Sequence, residues 1–104
     1  MERFLWKGCI YPGKLNEYID KHNNICQQMT DMMEKAGMRN YTIWNNGREV
    51  IGYYEYDNLD RKKAVYAEHN ELIKRWNKSM QGVMEMEKDE NGNVLVYRQV
   101  FLKE

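Results

Sequence analysis

An α+β fold built on one antiparallel sheet is predicted by three features of the sequence. Short segments near the start, in the middle and at the end of the chain alternate apolar and polar residues, as half-buried strands do. Between them, apolar residues recur at steps of three and four, the period of helices packed by one face. An Asn-Gly pair joins two aromatic-rich segments, the strongest short signal of a hairpin.

The first element is a strand over Arg3 to Ile10, with Phe4, Trp6, Gly8 and Ile10 on one face and Leu5, Lys7 and Cys9 on the other. Tyr11-Pro12-Gly13 ends it. Leu15, Tyr18, His22, Ile25, Met29, Met32 and Ala36 then share one stripe, flanked by Ile19, Cys26 and Met33, which predicts a single helix with a broad apolar face. Lys35 suits its last turn and Gly37 its stop. Met38 to Trp44 and Glu49 to Tyr56 form a hairpin through Asn45-Asn46-Gly47-Arg48. Asp57-Asn58 caps a helix beginning near Leu59, with Asp60 at its positive end. Asn70 caps a further helical run whose Leu72, Ile73, Trp76, Met80 and Val83 share a face. Asp89 to Asn93 is a turn, and Val94 to Leu102 a last strand.

The order β, α, β, β, α, β is the split βαβ, or ferredoxin-like, arrangement: an antiparallel sheet with both helices on one face. Tyr and Trp in the strands would leave an aromatic second face. Covering that face in a homodimer, as a dimeric α/β barrel, is the expectation.

At 104 residues the chain makes one domain, residues 1–104. Lys+Arg 16 against Asp+Glu 16 leaves no net field to draw it to nucleic acid or to an anionic membrane. The N-terminus lacks a signal-like apolar stretch and no run is long enough to span a bilayer, so a cytoplasmic protein is expected. Cys9 and Cys26 are read as reduced and buried. His22 and His69 have no partner at ligand spacing, and no Gly-rich phosphate loop occurs, so neither metal nor cofactor is expected.

His22, one turn after Tyr18 on the apolar stripe, is the most informative residue. A lone histidine there either packs as a satisfied core residue or transfers protons, since an unperturbed imidazole titrates near about 6.5. Tyr41 and Trp76 either pack in the core or line a pocket for a polyhydroxylated ligand, through ring faces and polar tips. Met29, Met32, Met33, Met80, Met84 and Met86 read as core filling. Asp57, Asp60, Arg61, Lys62 and Lys63 read as a solvated helix start, and Glu55 as either an acid/base or an edge-strand charge.

The stretches Tyr18-x-x-x-His22-Asn23-x-Ile25, Asn40-Tyr41-x-Ile43, Arg75-Trp76-x-Lys78-x-Met80 and Val100-Phe101, in that order along nearly the whole chain, resemble the L-rhamnose mutarotase family. The resemblance implies a dimeric ferredoxin-like barrel that interconverts the α and β anomers of a free 6-deoxy-hexose without metal or cofactor. It implies His22 as proton donor, and Tyr18, Tyr41, Trp76 and Asn77 against the sugar. The family continues Pro-Ile-Trp-Pro-Glu where this chain has Asn24-Ile25-Cys26-Gln27-Gln28, pairs two tryptophans where it has Trp76-Asn77, and has Glu where it has Gln99. These changes touch the pocket lining, so L-rhamnose, L-fucose or a related sugar stays open. Two other readings stand beside this one: a non-catalytic dimeric barrel that binds a ligand, and a cofactor-independent oxygenase on the same architecture.

Overall fold

The computed structural model describes residues 1–104. Its elements in chain order are β1 (Glu2–Ile10), α1 (Leu15–Asn23), α2 (Gln27–Lys35), β2 (Met38–Asn46), β3 (Glu49–Tyr56), α3 (Leu59–Glu68), α4 (Asn70–Met80) and β4 (Met84–Met86). The sheet order is β2-β3-β1-β4, and β3 is antiparallel to both β1 and β2. β1 and β2 therefore run the same way with β3 between them, the split βαβ topology expected from the element order.

Alternation along β1 and β3 sorts the two sheet faces. Trp6, Ile10, Val50 and Tyr54 are buried under the helices. Trp6 lies opposite Gly52, where an added Cβ would stand 2.0 Å from the indole Cε2. Only glycine leaves room for the ring there. The core falls into two clusters, one around Trp6, Ile10, Tyr18, Val50, Met80 and Val83, the other around Met29, Met32, Ala36, Met38, Tyr54 and Val65. Phe4 and Trp76 pack against both and join them. Burial of a side chain such as Ile10 or Val50 stabilises the fold by roughly 1.5–3 kcal/mol, so the two clusters hold the helices to the sheet.

The expected helix from Leu15 to Ala36 is two helices. The Asn24 side-chain amide donates to the Asp20 carbonyl at 2.8 Å, and Cys26 is extended at φ −72°, ψ 152°. The Asn24 backbone amide donates to the same carbonyl at 3.0 Å, so the ladder ends there and the extended Cys26 separates the two helices. The apolar stripe continues across the break, which is why periodicity alone does not reveal it. Gly37, at φ +77°, follows α2 as the expected stop.

Asn58 caps α3 as expected, its side chain accepting from the Arg61 amide at 3.0 Å. Asn70 does not cap α4: His69 holds that place without a side-chain cap. The last strand is also displaced. β4 is Met84–Met86, paired with Gly8, Cys9 and Ile10, because the chain leaves α4 directly alongside β1. Val94 to Leu102 makes only isolated bridges, Lys88 with Val94 and Leu5 with Tyr97. The turn before it is present, closed by the Asp89 amide donating to the Asn93 carbonyl at 2.8 Å.

The cysteines are exposed rather than buried: Cys9 points from the outer sheet face and Cys26 lies in the helix break. The outer face carries Leu5, Ile51 and Tyr53 half-buried and Trp44 at 67% exposure, interleaved with the ion pairs Arg3–Glu55 and Lys7–Glu49, so it is mixed rather than the bare aromatic face expected. No helix is long and apolar enough to cross a membrane.

Candidate active site on the helical face of the sheet

The break after Asn23 places His22 in the last turn of α1, half-buried, with Tyr18 one turn before it. The two rings lie 4.4 Å apart between centroids. Trp76 of α4 meets the imidazole edge-on at 5.1 Å and 88°. The His22 Nδ1 lies 2.8 Å from the Tyr18 carbonyl oxygen. A carbonyl oxygen only accepts, so Nδ1 carries the proton and donates, which leaves Nε2 as the nitrogen able to exchange one.

Tyr41 reaches the same face from β2 through an irregularity in the strand. The register of β2 on β3 shifts between Arg39 and Thr42, and Asn40 sits there at φ +54°. Asparagine tolerates this left-handed conformation better than most residues. A bulge of this kind turns a side chain to the other face of a sheet. Arg39 and Thr42 both oppose outward residues, Glu55 and Tyr53, while Tyr41 turns inward to accept a hydrogen bond from the Trp6 indole Nε1 at 3.1 Å. Its ring keeps an outer edge in solvent, with 37% exposure for the residue, but burial around the hydroxyl pushes its pKa up. Burial and then the neighbouring Tyr41 phenol raise that of Tyr18, so the two hydroxyls stay protonated through neutral pH.

The structure thus brings Tyr18, His22, Trp76 and Tyr41 onto one side of the sheet. Asn77, next along α4, is exposed. Gln99 lies away from this group and accepts from the Arg3 guanidinium at 2.8 Å. Glu55 sits on the outer face, where the Asn40 amide and the Tyr53 hydroxyl both donate to it at 2.8 Å and hold its carboxyl below the usual range. It is a surface charge and cannot share a proton with His22. Trp6, which alternation marks only as core, is joined to the candidate site by its hydrogen bond to Tyr41; the signal for it is Gly52 on the neighbouring strand, which leaves room for an indole.

No three His, Cys, Asp or Glu side chains converge as a metal site would require. A groove of about 700 Å³ runs between α2 and the β2 bulge past Arg39, Asn40 and Arg61, and touches the constellation through Tyr41 alone. The chemistry is concentrated at His22, so the cluster of Tyr18, His22 and Trp76 between α1 and α4, with Tyr41 on the same sheet face, is the candidate site.

Residues 3–102 match the family model described as L-rhamnose mutarotase. A protein named L-rhamnose mutarotase from Lachnoclostridium phytofermentans is 28% identical over 103 residues, covering 97% of each chain. One of the same name from Oceanobacillus iheyensis is 30% identical over 84 residues, covering 79% of each. The crystal structure of an L-rhamnose mutarotase from Formosa agariphila superposes over the whole of both chains with a TM-score of 0.76 at 17% identity, which shows the shared fold. With its family model matched along nearly its entire length, the chain belongs to the L-rhamnose mutarotase family and is an isomerase of the mutarotase type.

Proposed function

We propose that the chain, as one domain over residues 1–104, interconverts the α and β anomers of a free 6-deoxy-hexose, L-rhamnose foremost, with His22 as general acid and base. The observation that carries this reading is the Nδ1–H bond from His22 to the Tyr18 carbonyl, which fixes the tautomer and turns Nε2 to its task. Protonated at Nε2, His22 gives its proton to the ring oxygen of the sugar while a base takes the proton of the anomeric hydroxyl. The bond between C1 and the ring oxygen breaks, and C1 becomes the carbonyl carbon of the open chain. Rotation about C1–C2 presents the other carbonyl face. The C5 hydroxyl formed from the ring oxygen then adds to C1, its proton returns to Nε2, and the carbonyl oxygen takes back the proton held by the base.

Tyr18 and Tyr41 contribute hydroxyl tips, and Trp76 an indole wall suited to the C–H face of a deoxy sugar. Asn77 replaces a second aromatic wall with an amide at the rim. Asn24 and Cys26 likewise remove an aromatic beyond the catalytic turn, so the outer pocket is more polar than in the family pattern. Family membership favours neither a non-catalytic barrel nor an oxygenase.

The working form is a homodimer in the cytoplasm, in our reading. Trp44 on the outer sheet face, and Val96, Val100 and Phe101 in the tail at 63%, 86% and 79% exposure, are apolar surface that a partner protomer would cover. Two exposed free cysteines suit a reducing compartment. Saturation-transfer NMR on equilibrated L-rhamnose, L-fucose and D-glucose tests the activity: exchange accelerated for a deoxy sugar supports it, and no acceleration for any sugar refutes it.

A further inference from the structure

Lys62, read from the sequence as part of a solvated helix start, is instead folded inward. Its Nζ lies 4.9 Å from the Phe4 ring centroid, 4.8 Å from Tyr54, 5.2 Å from Tyr56 and 5.4 Å from Tyr66. It takes part in none of the chain's ion pairs, all of which lie elsewhere. Its hydrogen bond goes to the Tyr54 hydroxyl. Burial, followed by the neighbouring Lys63, lowers its pKa, yet no carboxylate compensates it. A cation drawn from water without a counter-charge is unusual in a structural role, because aromatic faces repay only part of its lost hydration.

The ammonium can only donate, so the Tyr54 oxygen accepts and its own O–H proton remains to give. The Trp6 indole does the same for Tyr41. The rings of Tyr41 and Tyr54 are 5.0 Å apart, and the Tyr41 phenol lies within electrostatic reach of those of Tyr18 and Tyr54. Two phenols on adjacent strands are therefore each held by an N–H donor, with the phenol O–H proton left to give.

We propose that Tyr54 is a further sugar-binding residue of this site, donating its hydroxyl proton to a sugar oxygen, and that Lys62 is the positioning residue that sets the direction of that donor. The inference rests on the mutarotase reading. Its test uses the full chain with Tyr54→Phe, which keeps the ring, Lys62→Met, which keeps the apolar stem in the cage, and the two combined. Anomer exchange of L-rhamnose gives KM and kcat, and thermal melting gives Tm. Loss of one hydrogen bond to the guest raises KM about three- to tenfold in each single variant, with kcat within about twofold of wild type. The double variant shows no further rise, because the lysine acts through the tyrosine. Unchanged KM with lowered Tm overturns the inference and makes the pair structural, as does a rise in KM that multiplies in the double variant. A wild-type protein that exchanges no sugar overturns both this inference and the mutarotase reading, whereas exchange with KM indifferent to Tyr54 overturns the inference alone.

Discussion

Replacing Gly52 by alanine tests how the sheet supports the site. The new Cβ would stand 2.0 Å from Cε2, 2.2 Å from Nε1 and 2.3 Å from Cζ2 of Trp6. Ordinary carbon contacts begin near about 3.5 Å, so the indole or the strand must move by roughly 1.5 Å. Trp6 is 5% exposed, and Val50 in the same cluster is fully buried, so there is little room to yield. Overpacking of this kind costs about 1–3 kcal/mol, which in a domain of this size lowers Tm by roughly 5–20 °C. The displacement also carries Nε1 away from the Tyr41 hydroxyl, which it now meets at 3.1 Å. Gly52→Ala should therefore lose both melting temperature and sugar affinity, read by circular dichroism and by KM for anomer exchange. Gly13→Ala is the control: nothing lies within 4 Å of its added Cβ, and its positive φ of +76° strains only a surface turn. A Gly52→Ala protein with wild-type Tm and wild-type KM would refute the claim that Trp6 is seated on Gly52 to hold Tyr41.

Tyr18→Phe keeps the buried ring and removes the hydroxyl, so KM for the sugar should rise about three- to tenfold while Tm stays within a few degrees; a lower Tm with unchanged kinetics counts against a substrate role. Stability should fall as pH rises from 10 towards 12, because burial raises the pKa values of Tyr18 and Tyr54 and pushes that of Tyr66 up to about 12 while the unfolded chain ionises near 10. Melting curves across that window check it, and a flat profile would contradict the burial of these phenols. Glu55, held below its usual value of 4.5, contributes stability that is present above that pH and lost as acid protonates it, so Glu55→Gln should flatten the acid limb of the Tm profile and leave kcat unchanged. Phe101→Asp places a charge in the exposed apolar tail, and sedimentation should show the protomer of 12.6 kDa in place of a dimer.

The parts of the fold set by local chemistry were legible in the sequence. The β2–β3 hairpin lies where Asn-Gly marks it, with Gly47-Arg48 turning between the paired Asn46 and Glu49, Asn58 caps α3, and alternation sorts the faces of β1. Departures arose where tertiary geometry or one side chain overrode a pattern. The apolar stripe runs unbroken from Leu15 to Ala36, but the backbone turns extended at Cys26, and that break is what leaves His22 in a final turn. Val94 to Leu102 has the composition of a strand, yet Met84–Met86 already occupies the edge of β1. The bulge at Asn40 that turns Tyr41 inward leaves no mark on strand periodicity, and the only hint is an asparagine at the position that needs a left-handed backbone. Cys9 looked buried because small apolar residues usually are, whereas its phase on β1 put it on the face the helices do not cover. Lys62 is the fullest departure: charge suggested solvent, and only the four rings around it in three dimensions show otherwise.

The central claim is that His22, its tautomer held by the Tyr18 carbonyl, moves the proton that opens the sugar ring. The most direct measurement is saturation transfer between the anomeric protons of equilibrated L-rhamnose with wild-type protein and with His22→Ala, after matched circular dichroism spectra show that both are folded. Accelerated exchange with the wild type and none above the uncatalysed rate with His22→Ala is the expected result. A folded His22→Ala protein that exchanges the anomers as fast as the wild type would contradict the account.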